Sequence, residues 1–352
     1  MKEKALDNKC PHCSALITFD IKKQLWHCEY CDSDVTLDEL NKRASNASSE
    51  ENNKVRDTID VDEYTCKNCG AKVIADENTA STFCVYCGNA TILKNKLTGM
   101  YAPDYIIPFK NTKDEIIINF KNLQKGRPLM PKLFNNPKNI EKITGIYIPF
   151  WLYDINISGK AEFKGLKVSS WRSGDYLYTK TDTYNLIREA NIEFDRIPSD
   201  GSSRFDNDLM QSLEPFEYDH FEKYNHAYLA GFLAEKYDVD ENSASESALS
   251  RSENSTIDEM KNTCNAFSGV SLTNNYLDKK IKETDYVLLP VWMLNVKYGN
   301  KNYTFAMNGQ TGKMVGNIPI HKGKAVLMWI IVFILTFIIL SVGWVVFKLK
   351  SY

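Results

Sequence analysis

The sequence lacks the features that mark the commonest enzymes and nucleic-acid binders. It has no glycine-rich loop to cradle a phosphate, no nucleophile elbow and no HExxH helix, so kinase, hydrolase and metalloprotease chemistries have no local signature. It has no excess of charge of one sign: 43 Lys and Arg stand against 45 Asp and Glu, a net charge of −2. Such a balance gives no global footprint for a polyanion. The N-terminal stretch MKEKALDNKC has no apolar core and does not read as a signal peptide. The expectation is therefore a non-enzymatic protein, with no catalytic residue assigned and no small-molecule substrate evident.

Charge is missing again in residues 325–347, a run of 23 residues whose polar side chains, besides two tryptophans, are only Thr336 and Ser341. At about 1.5 Å per residue the run spans about 34 Å as a helix, enough to cross a hydrocarbon core. Trp329 and Trp344 lie near its ends and Lys322, Lys324, Lys348 and Lys350 flank it, as expected at the two interfaces. The run reads as a single-pass anchor followed by a short tail, 348–352. With no signal peptide, the expected location is the cell membrane with the bulk of the chain cytoplasmic.

Eight of the nine cysteines fall in two matching sets. Cys10 and Cys13 are followed after 14 residues by Cys28 and Cys31; Cys66 and Cys69 are followed after 14 residues by Cys84 and Cys87. The constant offset of 56 positions marks an internal duplication. Four thiolates per unit suit a closed tetrahedral Zn2+ site, two structural ions in all, with no open position for catalysis. Residues 16–19 and 24–27 read as the strands of a hairpin, repeated at 73–74 and 82–83, and Gly70 and Gly88 suit the tight turns after two of the CxxC pairs. His12 and His27 read as ordinary knuckle and strand residues. The two ribbons span 1–37 and 61–98, joined by a polar linker at 38–60 with a helical start at 37–42, which would let them move relative to each other. Residues 1–100 carry 13 basic against 16 acidic side chains; with two zinc–thiolate centres the charge would be about −7. That repels phosphate, so protein contact is favoured over nucleic acid.

Residues 99–321 read as an α+β platform. Strand-like sequence runs through 105–109, an amphipathic helix through 113–123, and strongly β-prone runs through 145–154 and 286–295, aligned on Pro149 with Pro290 and Trp151 with Trp292. Continuing strands are expected at 155–163 and 296–305. A proline inside a strand predicts an edge or a bulge. Further strand-like sequence spans 176–194, a loop 198–203, helices 206–213, 220–224, 229–236 and 240–267 (the last exposed), and a hairpin turn 308–312. His220, His226 and Cys264 carry no recognisable catalytic pattern. The fold class expected is multidomain: two small β zinc ribbons, an α+β domain with two related β units, and one C-terminal transmembrane helix.

The paired ribbons, the IPFW and LPVW repeats, Glu214-Pro215-Phe216 with Tyr228 to Phe232, the Asn308-Gly309-Gln310-Thr311-Gly312 turn and the C-terminal anchor together resemble bacterial membrane-anchored TFIIB-type double zinc-ribbon proteins. The resemblance spans nearly the whole chain and implies zinc on the eight ribbon cysteines. It also implies PspA-like, TPM-domain or SPFH-domain partners and a role in recruiting a PspA-like protein to stressed membrane. The expected function is thus a membrane-anchored adaptor; the alternative is a membrane-tethered nucleic-acid binder.

Overall fold

The computed structural model describes residues 9–45, 58–74, 84–87, 92–131, 134, 136–204, 207–299 and 301–350. Near the N-terminus β1 (Thr18–Asp20), β2 (Leu25–Cys28) and β3 (Ser33–Val35) form a three-stranded antiparallel sheet, and α1 (Leu37–Ser45) follows. A capping box starts α1: Glu39 accepts from the Thr36 N–H at 2.8 Å while the Thr36 hydroxyl faces the Glu39 N–H at 3.3 Å. Thr112 and Glu115 repeat the device at the start of α2 (Lys113–Lys125).

The remaining strands join one eleven-stranded sheet. They are β4 (Thr58–Cys66), β5 (Lys72–Ile74), β6 (Ile92–Tyr101), β7 (Tyr105–Ile106), β8 (Thr144–Ser173), β9 (Tyr176–Asp200), β10 (Glu222–Lys223), β11 (Leu233–Glu235), β12 (Gly269–Tyr298), β13 (Lys301–Asn308) and β14 (Met314–Gly316). The order is β10-β7-β12-β8-β11-β5-β4-β6, with β9 on β8, β13 on β12 and β14 on β13. Helices α3 (Pro137–Ile140), α4 (Asn207–Leu213), α5 (Glu241–Asn262) and α6 (Lys322–Lys350) complete the chain.

The antiparallel pair β8 and β12 is the spine. Its central runs are apolar on both faces, so neither side alternates with solvent. Ile146, Ile148, Phe150 and Leu152, with Val287, Leu289, Val291 and Met293, point into one core shared with Met210 and Leu213 of α4. Tyr147, Trp151 and Tyr153, with Tyr286, Leu288 and Trp292, point into the other, shared with Ile116 and Phe120 of α2. Beyond this block the strands continue as a long arm, with α5 lying on one face. The helix buries Ala244, Ala248, Ser252, Thr256 and Met260. This stripe of mostly small side chains, spaced by four residues, lets it sit close to the sheet, so the helix expected to be exposed is packed along its length.

Three other expectations change. Pro149 and Pro290 lie in the two central strands, opposite Leu288 and Tyr147, and not at an edge. Each stands where its strand exchanges neighbours. β8 pairs β11 at Ile146 and Tyr147 and β9 from Phe150; β12 pairs β7 at Val287 and Leu288 and β13 from Val291. A missing N–H costs little at such a gap. The helices expected at 220–224 and 229–236 are instead short 3-10 turns, Tyr218–His220 and His226–Leu229, each followed by a strand, β10 or β11. Gly231, at φ 92°, redirects the chain between the second turn and β11. The second ribbon is not a free module, because β5 pairs β11 inside the large sheet. Of the linker, α1 extends past 42 and β4 begins at Thr58, while 46–57 lie outside the described residues, as do Gly88 and the strand expected at 82–83.

Candidate metal centres

Each CxxC turn presents two thiols to the other across its ribbon. In the first unit Cys10 Sγ lies 3.6 Å from Cys31 Sγ and Cys13 Sγ 3.5 Å from Cys28 Sγ. In the second, Cys66 to Cys87 and Cys69 to Cys84 are both 3.7 Å. Within each tetrad all four sulfurs lie within 4.8 Å of one another. A tetrahedron of thiolates about 2.3 Å from zinc has edges of about 3.8 Å, whereas a disulfide would hold two sulfurs about 2.05 Å apart. Two cysteine tetrads are therefore positioned to bind metal ions, and their geometry is consistent with zinc.

Hydrogen-bond donors surround the sulfurs. The Ser33 hydroxyl is 3.0 Å from Cys31 Sγ and 3.5 Å from Cys10 Sγ, and the His12 N–H donates to Cys10 Sγ at 3.4 Å. Burial pushes the Cys10 thiol up, but Ser33 and the His12 and Cys13 N–H groups outweigh it and bring Cys10 down to about 6. Ser33 likewise lowers Cys31. In the second unit the Asn68 amide donates to Cys87 Sγ at 3.5 Å. Such outer groups orient thiolates and stabilise their charge toward a cation. Neither residue type marks a metal site by itself; the available signal is position, since Asn68 sits inside a CxxC pair and Ser33 two residues after another. His27 engages Asp34 at 2.9 Å instead of the sulfurs.

Both ribbons are fixed to the platform. Trp26, 1% exposed, donates its indole N–H to the Ala227 carbonyl at 2.8 Å, the Phe19 N–H reaches the Ala230 carbonyl at 3.3 Å, and Gln24 donates to the Phe109 carbonyl at 2.9 Å. Phe19, Trp26 and Tyr228 form an aromatic triad with centroids 4.9 to 5.3 Å apart. On the second ribbon Ile74 and Val73 pair with Ala234 and Glu235, Arg204 donates to the Gly70 carbonyl at 2.8 Å, and Asn295 donates to the Val85 carbonyl. Glu235, fully buried, lies where the two parts meet: it accepts from Ser202 at 2.8 Å, with Arg204 3.6 Å away. Burial pushes its carboxyl up to about 7. Burial, with Glu214 and Glu235 nearby, also pushes Asp200 up to about 7.

The histidines considered for acid–base chemistry do not converge. His220 faces Glu217 at 3.4 Å on the surface and His226 faces the Tyr224 hydroxyl at 3.2 Å. Cys264 is buried, with its thiol on the Met260 carbonyl. Helix α6 projects from the platform, its base held by the His321 N–H on the Leu129 carbonyl and by Lys324 on the carbonyls of Pro128 and Met130. Within its span 322–344 an 18-residue window has a mean hydropathy of 3.0, and none of that window is buried by the rest of the chain. It is the one helix among the described residues long and apolar enough to cross a membrane.

The "Uncharacterized protein YdjG" of Bacillus subtilis (strain 168) is 34% identical to this chain over 318 residues, covering 90% of the chain and 91% of the relative. The chain belongs to the YdjG family. The aligned length is great enough that the similarity extends well beyond the cysteine units into the platform. No family model and no solved structure matches the chain.

Proposed function

We propose that this member of the YdjG family is a membrane-anchored adaptor whose zinc ribbons are contact surfaces held rigidly on a platform at the cytoplasmic face. The observation that carries the reading is the double attachment: both cysteine tetrads are clamped to the platform, and the platform is tied to the base of an uncovered apolar helix. An adaptor needs a fixed relation between its binding surface and its membrane. Four sulfur ligands per site leave no open position for chemistry, so zinc here supports shape. The knuckle of the first ribbon presents Tyr30, 81% exposed, between Cys28 and Cys31 and beside Glu29 and Asp32. An amphipathic aromatic of this kind suits protein contact, and the acidic surroundings disfavour nucleic acid. By resemblance, the partner recruited is a PspA-like membrane-stress protein, with TPM-domain or SPFH-domain proteins as further candidates.

The test is crosslinking in native membranes followed by purification and identification of bound proteins. Wild type should recover a membrane-stress partner, and Cys10→Ser with Cys66→Ser should lose it. Full retention of every partner by that variant removes the ribbons from the role; recovery of nucleic acid with no protein replaces the reading altogether.

A further inference from the structure

Strand β9 is 25 residues long and pairs only with β8 among the described residues, so its other edge carries an unshared row of backbone donors and acceptors. Long open edges are normally blunted by charge, proline or bulges. In β9 the stretch Thr183-Tyr184-Asn185-Leu186-Ile187 has none of these, and Tyr184 and Ile187 are left 43% and 62% exposed. The charge-free stretch is bracketed by Asp182 on one side and Arg188 on the other, at equal distance from Asn185. Both bracketing residues lie on the same face of the strand as Leu186, whose neighbour on β8 is Phe163.

We propose that β9 is a self-association edge, pairing antiparallel with β9 of a second copy about a two-fold axis through Asn185. This register sets Asp182 opposite Arg188 of the second copy, twice over. It sets Tyr184 opposite Leu186 and Ile187 opposite Thr183, covering the exposed apolar side chains. From residue 176 to 194 no like charges oppose one another. Sliding the second copy by two residues one way leaves Asp182 against Ala190 and Arg188 against Tyr184; sliding the other way opposes Lys180 and Arg188. Charge complementarity therefore selects both the partner and the register. Within one copy Arg188 donates to Thr263 and to the Ile187 carbonyl, and Asp182 meets Lys180 at 3.0 Å. The product is a continuous sheet in the order β12-β8-β9 followed by β9-β8-β12 of the second copy, an isologous interface.

The test uses the full chain in its membrane. Directly opposed Cα atoms lie about 4.5 to 5.5 Å apart, within the span of a disulfide, so Asn185→Cys should give a dimer of twice the mass on mild oxidation. Glu189→Cys on the same exposed face should not, since its copies would lie about 26 Å apart at about 3.3 Å per residue. In the Asn185→Cys background, Asp182→Arg or Arg188→Asp should reduce the dimer yield several-fold, and both together should restore it. All four positions are at the sheet edge, and a far-ultraviolet spectrum matching wild type confirms that each variant folds. Absence of a dimer from a folded Asn185→Cys chain, linkage to a different protein, equal yield from Glu189→Cys, or failure of the double swap to restore the yield overturns the proposal.

Discussion

The indole N–H of Trp26 donates to the carbonyl of Ala227 across 2.8 Å, from the centre of the first cysteine unit to the platform 201 positions later in the chain. The bond is buried, and the ring packs on Tyr228 at 4.9 Å and Phe19 at 5.2 Å. A large aromatic is thus spent on fastening the ribbon as well as on its own core.

Trp26→Ala should cost about 3–5 kcal/mol, combining lost burial with a cavity, and it leaves the Ala227 carbonyl with only the Ala230 N–H as donor, at 3.0 Å. Trp26→Phe keeps much of the contact and loses mainly the hydrogen bond, so it should cost less. Hydrogen exchange at residues 225–230 distinguishes undocking from a general loss of stability. Protection should fall first there in Trp26→Ala, and unchanged protection would show that the ribbon is held by other contacts.

The second ribbon is attached by backbone pairing, which makes a different prediction. Strand β5 lies between β4 and β11, so the fold of this cysteine unit provides one edge of β11. Cys66→Ser with Cys69→Ser should reduce bound zinc from two ions to one per chain and expose the amides of Ala234 and Glu235 to exchange. A chelator acting on the wild type should do the same, while Cys10→Ser with Cys13→Ser should leave those amides protected. Metal release without any change at β11 would separate the sheet from the metal.

The cysteine tetrads were legible because their spacing is a chemical requirement that context does not alter. The repeated apolar runs around Pro149 and Pro290 were legible as strands for a similar reason, but their place in the sheet was not. A missing N–H identifies a gap in a ladder; it does not say whether the gap is an edge or an exchange of neighbours. In both copies it is an exchange, and the symmetry extends to detail: the Gly201 N–H caps the Pro149 carbonyl at 2.9 Å and the Gly309 N–H caps the Pro290 carbonyl at 2.8 Å. A Cβ at Gly309 would come within 2.6 Å of the Phe109 ring, and one at Gly201 within 3.0 Å of the Pro149 oxygen. The segment Leu233-Ala234-Glu235 reads as helix in the sequence because its strand character comes wholly from β8 and β5 on either side, and local propensity yields to such pairing.

Ser33 supplies a prediction about affinity. Its hydroxyl approaches two sulfurs of the first tetrad, and loss of an outer-shell partner commonly weakens metal binding by about 10- to 100-fold. Ser33→Ala should therefore release zinc from the first site to a competing chelator at about tenfold lower concentration, with the second site unaffected. Ser33→Thr retains the hydroxyl and should behave as wild type. Equal release from both sites in Ser33→Ala would mean that the backbone N–H groups suffice.

Glu235 makes stability depend on pH in a direction opposite to that of a salt-bridged carboxylate. Its pKa rises from 4.5 to about 7 because burial penalises the charged form; Asp238 adds to this while Ser202, Tyr86 and Arg204 oppose it. Between about pH 4.5 and 7 the folded chain then holds a proton that the unfolded chain has released, so the stabilising contribution is complete below that window and is lost as pH rises through 7. The slope from this one group is at most about 1.4 kcal/mol per pH unit. Zinc thiolates act in the reverse sense, since protons displace the metal. The informative quantity is thus the difference between wild type and Glu235→Gln, measured by chemical unfolding from pH 5.5 to 8 at the same free zinc. The glutamine variant should lose less stability as pH rises, and Asp200, raised for a similar reason, should keep part of the slope. Parallel curves for the two proteins would mean that the Glu235 carboxyl keeps its charge in the fold, its burial being offset by Arg204.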